Sequence, residues 1–361
     1  MDLPVFNDEA FFLWAGRQIR GNPLQNLFIN FSDGKEPLFF WVYGLAPDLL
    51  TLRLLSVFFG FLTFIYFRKI TNNFWASLFF ILSPFLLFYQ RIGMQESMLT
   101  FLLTAAMYYL VNHRFFLAGI FAGLSLLTKT TALALLIPLF FLKFNIITII
   151  ICFLFYLPVF ILGSSVSVHN SSYIGLIPLS QIITNFKMAI SWLWGYQGFW
   201  GVLGILTPPV VIESLIAKIF FPRYFLFIIP FLIILISKLP KLLLVLLIIP
   251  NIILSYQIIS SVKTANLPYI EKWQYLEAWP AGYGIKETAD FLITQSIRSV
   301  KTEDVMVVKY GLSYYYPELV IDNNSRVWVL KKSKELADER YWEKVYNSYD
   351  VSVYRARSGS Q

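Results

Sequence analysis

Charged side chains make up only 14% of the 361 residues, and the chain has one cysteine and two histidines. Soluble domains carry about 25% charged residues, so with 57% of the chain hydrophobic and 18% aromatic a soluble enzyme is excluded. The one cysteine, Cys152, lies in an apolar run, so no intramolecular disulfide can staple any part of the chain. His113 and His169 supply neither a Ser/His/Asp triad nor, with one cysteine, a zinc box. A divalent metal bridging carboxylates and phosphate is chemically conceivable, but no ligand spacing supports one, so the cofactor is left unassigned.

Acids are scarcest where the chain is most apolar. Residues 1–260 hold 8 acidic and 15 basic side chains, whereas residues 261–361 hold 13 and 14. This asymmetry predicts a polytopic α-helical membrane body over residues 1–262 and a small water-soluble α/β tail over 263–361. Most of the net charge of +8 resides in the body. There it reads as snorkelling and orientation at helix ends rather than as a surface for nucleic acid.

A membrane span takes about 20 apolar residues, somewhat fewer when flanking residues snorkel. That ruler marks spans at 51–67, 74–89, 97–111, 115–127, 131–142, 146–162, 224–236 and 242–259, with a weaker one at 191–206, so about eight to ten in all. Arg68 and Lys69, His113 and Arg114, Lys143, and Lys238 with Lys241 fall at alternate connections and are placed in the cytoplasm. Residues 1–50, 90–96, 163–187 and the tail then face outward, in a multi-pass protein of the cell membrane. Residues 1–50 have no basic start before an apolar stretch and small-residue cleavage site, and so read as an outward loop rather than a signal peptide. Within the loop, Asp8 is a candidate N-cap for a helix over 9–20, and Pro37 starts a second over 38–43; both have aromatic faces suited to the membrane interface. In the tail, the pattern predicts helices over 286–297 and 334–345 and strands over 304–309, 326–330 and 350–354.

The placement of carboxylates is the most informative feature. Asp2, Asp8, Glu9, Asp33, Glu36, Asp48 and Glu96 all fall at the outer boundary, and only Glu213 follows before Glu271. An acid at the centre of a bilayer costs about 2.5 to 3.5 kcal/mol even on insertion scales, so such a cluster is either hydrated or functional. Lys35, Arg53, Arg91, Lys129 and Arg223 lie on the same side. Carboxylates and cations facing a common cavity suit an anionic lipid headgroup and a polar acceptor.

These residues also carry a resemblance. The run Phe6-Asn7-Asp8-Glu9-Ala10-Phe11-Phe12, then Lys35-Glu36-Pro37-Leu38 and Arg53-Leu54-Leu55-Ser56, resembles the first outer loop and second helix of the GT-C glycosyltransferases. Within them it is most similar to the protein O-mannosyltransferase and aminoarabinose transferase group. Ser83-Pro84 leading to Arg91 and Glu96, Gly123-Leu124 before Thr128-Lys129, Phe221-Pro222-Arg223-Tyr224, and Trp279-Pro280-Ala281-Gly282-Tyr283-Gly284 follow in the same order. In that group a transmembrane helix normally precedes the Asp-Glu loop, which here begins close to Met1, and the stretch over 206–221 is shorter than the pattern leads one to expect.

The resemblance implies transfer of a sugar, with inversion, from a polyprenyl-phosphate carrier to a protein, lipid or glycan acceptor at the outer membrane face. It implies Asp8 as the base, and Glu9, Lys35, Glu36, Arg91, Glu96, Lys129, Arg223 and Tyr224 as substrate-binding residues. Inversion needs one base and no enzyme nucleophile.

Plainer readings stand beside these. Asp8 as a helix cap is worth about 1 kcal/mol without any catalysis. Glu9 suits a helix dipole, Arg91 and Glu96 can pair across a turn, and Arg223 can snorkel. Gly119 and Gly123 more often mean close helix packing than ligand binding. A lipid-linked-sugar transporter or flippase would show repeat halves and midplane charges, and a scaffold presenting the tail would tolerate replacement of Asp8.

Overall fold

The computed structural model describes residues 3–26, 35–162, 172–303, 305–331 and 341–357. In chain order the helices are α1 (Asn7–Gly21), α2 (Pro37–Tyr43), α3 (Leu49–Ile70), α4 (Phe74–Ile81), α5 (Pro84–Tyr89), α6 (Gln95–Val111), α7 (Phe115–Thr128), α8 (Leu133–Leu142) and α9 (Ile146–Leu162). They continue as α10 (Leu179–Gln197), α11 (Phe199–Val202), α12 (Pro208–Ile216), α13 (Ile229–Ile236), α14 (Lys241–Ser260), α15 (Tyr269–Lys272), α16 (Ile285–Thr294) and α17 (Met306–Tyr315). Five strands complete the tail: β1 (Ser299–Thr302), β2 (Val320–Ile321), β3 (Val327–Lys331), β4 (Trp342–Ser348) and β5 (Val351–Ala356). The chain forms two compact units, one of Ile19–Leu45 and Leu50–Pro268, the other of Met1–Gln18, Ala46–Leu49 and Tyr269–Gln361.

The larger unit is helical and patterned against water. On α3 the buried positions are Leu52, Ser56, Phe59, Gly60, Thr63 and Phe67, at helical spacing, while Leu54, Phe58 and Phe61 are exposed. Small polar residues such as Ser56 and Thr63 thus face inward while large apolar ones occupy both faces, and α9 and α14 likewise expose Phe153, Phe160, Leu246 and Ile253. Apolar surface of this extent is suited to hydrocarbon. Among the described residues two helices, α3 and α14, are long and apolar enough to cross a membrane alone, and shorter apolar helices lie over Phe115–Thr128, Thr130–Phe141, Ile146–Ile161 and Arg223–Ile236. Helices α7 and α9 approach closely because Gly123 has no side chain. A Cβ there would lie 2.5 Å from the Cβ of Phe155 and 3.0 Å from the carbonyl oxygen of Cys152.

Several expected spans are interrupted, and in three of the four the break falls at proline or glycine. The span over 74–89 is two helices, because Pro84 has no N–H to donate and its ring would clash with the preceding turn. Ser83 caps the second piece, its Oγ accepting from the Leu86 N–H at 3.4 Å, and it also accepts from Gln197 Nε2 at 2.7 Å. Asn251 Nδ2 in turn donates to Gln197 Oε1 at 3.2 Å. This buried chain occupies the gap that the break opens. The stretch over 191–206 is not one helix: α10 begins at Leu179 and ends before Gly198, whose φ of +65° stops it. The span over 224–236 starts as a 3-10 helix, Pro222–Ile228, and becomes α-helical only where Pro230 occupies its first turn. The span over 131–142 likewise starts as a 3-10 turn, Thr130–Ala132, ahead of α8.

The smaller unit is an α/β tail joined by the N-terminal segment. Its sheet runs β2-β1-β3-β5-β4, with β1 parallel to both neighbours and β5 antiparallel to β3 and β4. Ile285, Ala289 and Leu292 of α16 and Val307, Val308 and Leu312 of α17 form one core with Val300, Val329, Val351 and Val353 of the strands. Three expectations are corrected here. Of the strand expected over 304–309, residue 304 lies outside the described residues and 306–309 are the start of helix α17, since the buried residues Val307, Val308, Gly311 and Leu312 repeat at helical and not alternating spacing. Residues 334–340 of the helix expected over 334–345 lie outside the described residues, and from Trp342 the chain is strand β4, paired along β5. Strands β1 and β2 are additional. The α1 helix starts at Asn7, so Asp8 sits inside its first turn rather than at the cap.

Helix α1 does not lie on a membrane surface alone: Ala10, Phe11, Phe12 and Leu13 are buried, and Phe11 and Trp14 lie 5.5 and 4.7 Å from the Tyr310 ring of α17. Asn7 donates through its N–H to Pro280 O at 3.1 Å and accepts from Val307 N–H at 2.9 Å. Gly282 lets the Val5 backbone pass where any Cβ would collide with it. Lys331, fully buried on β3, donates to Ala281 O at 2.6 Å and Asp350 Oδ1 at 2.9 Å, holding the 278–284 loop to the sheet. Burial pushes this ammonium below its ordinary pKa, with Asp350 opposing the shift. Truncation would orphan both acceptors, so Lys331→Ala lowers tail stability by about 2 kcal/mol. Denaturant-dependent proteolysis of the full chain checks this, and an unchanged midpoint would contradict it.

Candidate functional site

The most concentrated charge in the helical unit forms at two helix ends. Helices α6 and α7 are antiparallel neighbours joined by a short turn, so the first turn of α6 meets the last turn of α7. Glu96 stands at the start of α6, where helix N–H groups favour negative charge, and Lys129 at the end of α7, where carbonyls favour positive charge. Their side chains meet across 33 residues, with Lys129 Nζ 2.8 Å from Glu96 Oε1. The 3-10 helix Pro222–Ile228 packs on α6 and brings Arg223, whose Nε lies 3.6 Å from the same Glu96 oxygen. All three residues are buried.

Aromatic faces take part of the place of water around these cations. The Lys129 ammonium sits 3.7 Å from the Tyr224 ring centroid, and the Arg223 guanidinium 5.1 Å from that of Phe221. Two cations share one carboxylate oxygen, while Glu96 Oε2 is buried and accepts no hydrogen bond among the described residues. Glu213 is also buried, on α12. The arrangement can receive an anion, because the oxygens of a phosphate can replace the carboxylate oxygen on both cations.

Glu36 supports this corner from behind. Its carboxylate accepts from the Thr130 N–H at 2.8 Å and from the Thr130 hydroxyl, capping the turn that follows Lys129. The sequence reading had no role for Thr130 or Glu213. The signal was there in Lys129-Thr130-Thr131 after a helix and in an acid just before Pro37, but neither pattern is distinctive alone. Replacing Thr130 by valine keeps the shape and removes one donor from a buried carboxylate, so Thr130→Val lowers the stability of the full chain by about 1 to 2 kcal/mol. A thermal melt in detergent reads this, and an unshifted transition would contradict it.

The other expected site residues are distributed as follows. Tyr224 belongs to the Glu96 cluster through its ring. Lys35 is half-buried directly before Glu36, and Arg91 is half-buried in the turn after α5. Arg91 forms no ion pair with Glu96 among the described residues, since Glu96 turns to Lys129 instead. In the smaller unit, Asp8 is half-buried in the first turn of α1 and accepts from Asn7 Nδ2 at 3.3 Å. Glu9 is fully buried, and its Oε2 accepts from the Phe6 N–H at 3.0 Å, reaching back to the start of the helix. Asp2, Asp33 and His169 lie outside the described residues. No group of three or more His, Cys, Asp or Glu with metal-binding proximity occurs among the described residues.

No protein-family model matches the sequence, and no curated protein matches it. Two crystal structures match by shape. ArnT from Cupriavidus metallidurans in the apo state aligns with 98% of this chain and 93% of its own at a TM-score of 0.54 and 10% identity. The same protein bound to undecaprenyl phosphate aligns with 96% of this chain and 93% of its own at a TM-score of 0.52 and 12% identity. The chain therefore shares the fold of these ArnT structures, a helical body with a small C-terminal sheet, at a sequence identity that establishes the fold and nothing finer.

Proposed function

We propose that the chain is an integral-membrane inverting glycosyltransferase. It moves a sugar from a polyprenyl-phosphate donor to a protein, lipid or glycan acceptor at the outer face of the membrane. The observation that carries the reading is the pairing of Lys129 and Arg223 on one oxygen of Glu96, a buried anion site at helix ends of a lipid-facing unit. Two further facts support it. Arg68, Lys69, Arg114 and Lys143 fall at the opposite ends of α3, α6 and α8, as an outward-facing site demands. The ArnT structure of the same fold binds undecaprenyl phosphate.

In this reaction the acceptor hydroxyl oxygen attacks the anomeric carbon as the bond to the phosphate oxygen breaks. The electron pair of that bond leaves with the polyprenyl phosphate. Asp8 is assigned the role of the base that takes the acceptor proton. Lys129 and Arg223, with Lys35 and Arg91 as further cations, hold the phosphate as its charge grows, and their value is greatest where water is excluded. Glu9 and Glu36 act indirectly, because their carboxylates are engaged in fixing the start of α1 and the turn after Lys129. Tyr224 keeps the Lys129 ammonium in place.

The test is transfer of radiolabelled sugar from polyprenyl-monophosphate sugars by the purified full chain. Loss of a general base costs about a hundredfold or more, so Asp8→Asn falls by at least that factor at unchanged thermal stability. Equal turnover by the two proteins would remove Asp8 from the mechanism. Absence of transfer from any such donor would remove the glycosyltransferase reading.

A further inference from the structure

Glu96 is an odd resident for a phosphate site. It is buried, it neutralises part of the charge that would attract a phosphate, and it does so through one oxygen while the other accepts no hydrogen bond among the described residues. A carboxylate built purely to hold two cations in place would be expected to use both oxygens, since a buried acceptor left unsatisfied is destabilising. A phosphate offers three acceptor oxygens to the same two donors. It can therefore engage the Lys129 ammonium and the Arg223 guanidinium at separate oxygens, where Glu96 meets both through Oε1.

We propose that Glu96 is an exchangeable internal anion. It pairs with Lys129 and Arg223 while the phosphate subsite is empty, gives them up when a lipid phosphate enters, and takes them back as the spent carrier leaves. The inference rests on the proposed reaction and deepens it.

The chemistry of donor and product explains why such a competitor is useful. A polyprenyl-phosphate sugar is a phosphodiester with one negative charge. The polyprenyl phosphate left after transfer is a monoester whose second ionisation lies near pH 6, so it carries about −1.5 to −2 at neutral pH. Product is thus the stronger anion, and without Glu96 the two cations would retain it over incoming donor. A carboxylate tethered at the first turn of α6 competes with both anions for the same donors. It lowers the affinity for product and so favours turnover. The exchange makes and breaks ion pairs only, and no covalent bond changes.

Exchange and positioning predict opposite outcomes for one substitution. Binding of a polyprenyl monophosphate is measured on the full chain in nanodiscs for the wild type, Glu96→Gln and Lys129→Met, with the unphosphorylated polyprenol as control. Glu96→Gln is expected to bind the monophosphate about tenfold more tightly and to release it more slowly, the polyprenol being unaffected. Weaker or equal binding by Glu96→Gln, with Lys129→Met weakened, would overturn the exchange and leave the phosphate site standing. Equal binding by Lys129→Met and the wild type would overturn the phosphate site itself. Should Glu96→Gln fail to fold, infrared difference spectra of the wild type with 13C-labelled glutamate decide the matter. A carboxylate band that shifts with the monophosphate and not with the polyprenol supports exchange, and an unshifted band overturns it.

Discussion

Ionised groups taken out of water must find opposite charge or hydrogen-bond partners, and in the helical unit this requirement is met where Glu96, Lys129 and Arg223 converge. Each charge stands where the local backbone favours it, the acid at a helix start and the lysine at a helix end. The convergence depends on α6 and α7 being antiparallel and on a 3-10 segment delivering Arg223 against α6. Glu36 fixes the turn after Lys129, and Tyr224 covers its ammonium. Most elements of the unit that are not apolar walls therefore serve the placement of a few charges.

A second buried polar chain has a different role. Ser83, Gln197 and Asn251 link the break between α4 and α5 to α10 and α14, replacing backbone hydrogen bonds that Pro84 forbids. It carries no formal charge, so its residues read as architecture. The contrast explains why the charged cluster and not this one is assigned chemistry: hydrogen bonds among amides and hydroxyls can satisfy a kinked helix, whereas buried lysine and arginine in one corner call for an anion.

Much of the fold was legible because helix periodicity and apolar runs are long-range signals. The ends of α6, α7, α9 and α14 fall within two residues of the expected spans. Interruptions were harder, since one proline in an apolar run does not announce whether the helix kinks or stops. Pro138 and Pro250 remain inside α8 and α14, while Pro84 starts a new helix. The tail was misjudged where β-branched residues met helical spacing, as in Met306-Val307-Val308. Strand β4 is an edge strand with few buried residues, and so lacks a clear apolar alternation. Within the site, Glu96, Lys129, Arg223 and Tyr224 were legible as charges and an aromatic expected to lie on one side of a membrane. Their pairing was not, because Arg91 is nearer in sequence to Glu96 than either cation that engages it. The packing of α1 into the tail rests on Asn7, Val5 and Gly282, contacts of nearly 300 residues' separation that no local pattern encodes.

The central claim is that the Lys129 and Arg223 corner receives the phosphate of a polyprenyl carrier. An electron cryomicroscopy structure of the full chain in nanodiscs with a polyprenyl monophosphate tests it most directly. The account predicts phosphate density within hydrogen-bonding distance of Lys129 Nζ and the Arg223 guanidinium. Phosphate density bound elsewhere, with the Glu96 to Lys129 pair intact and no ligand beside it, would contradict the account.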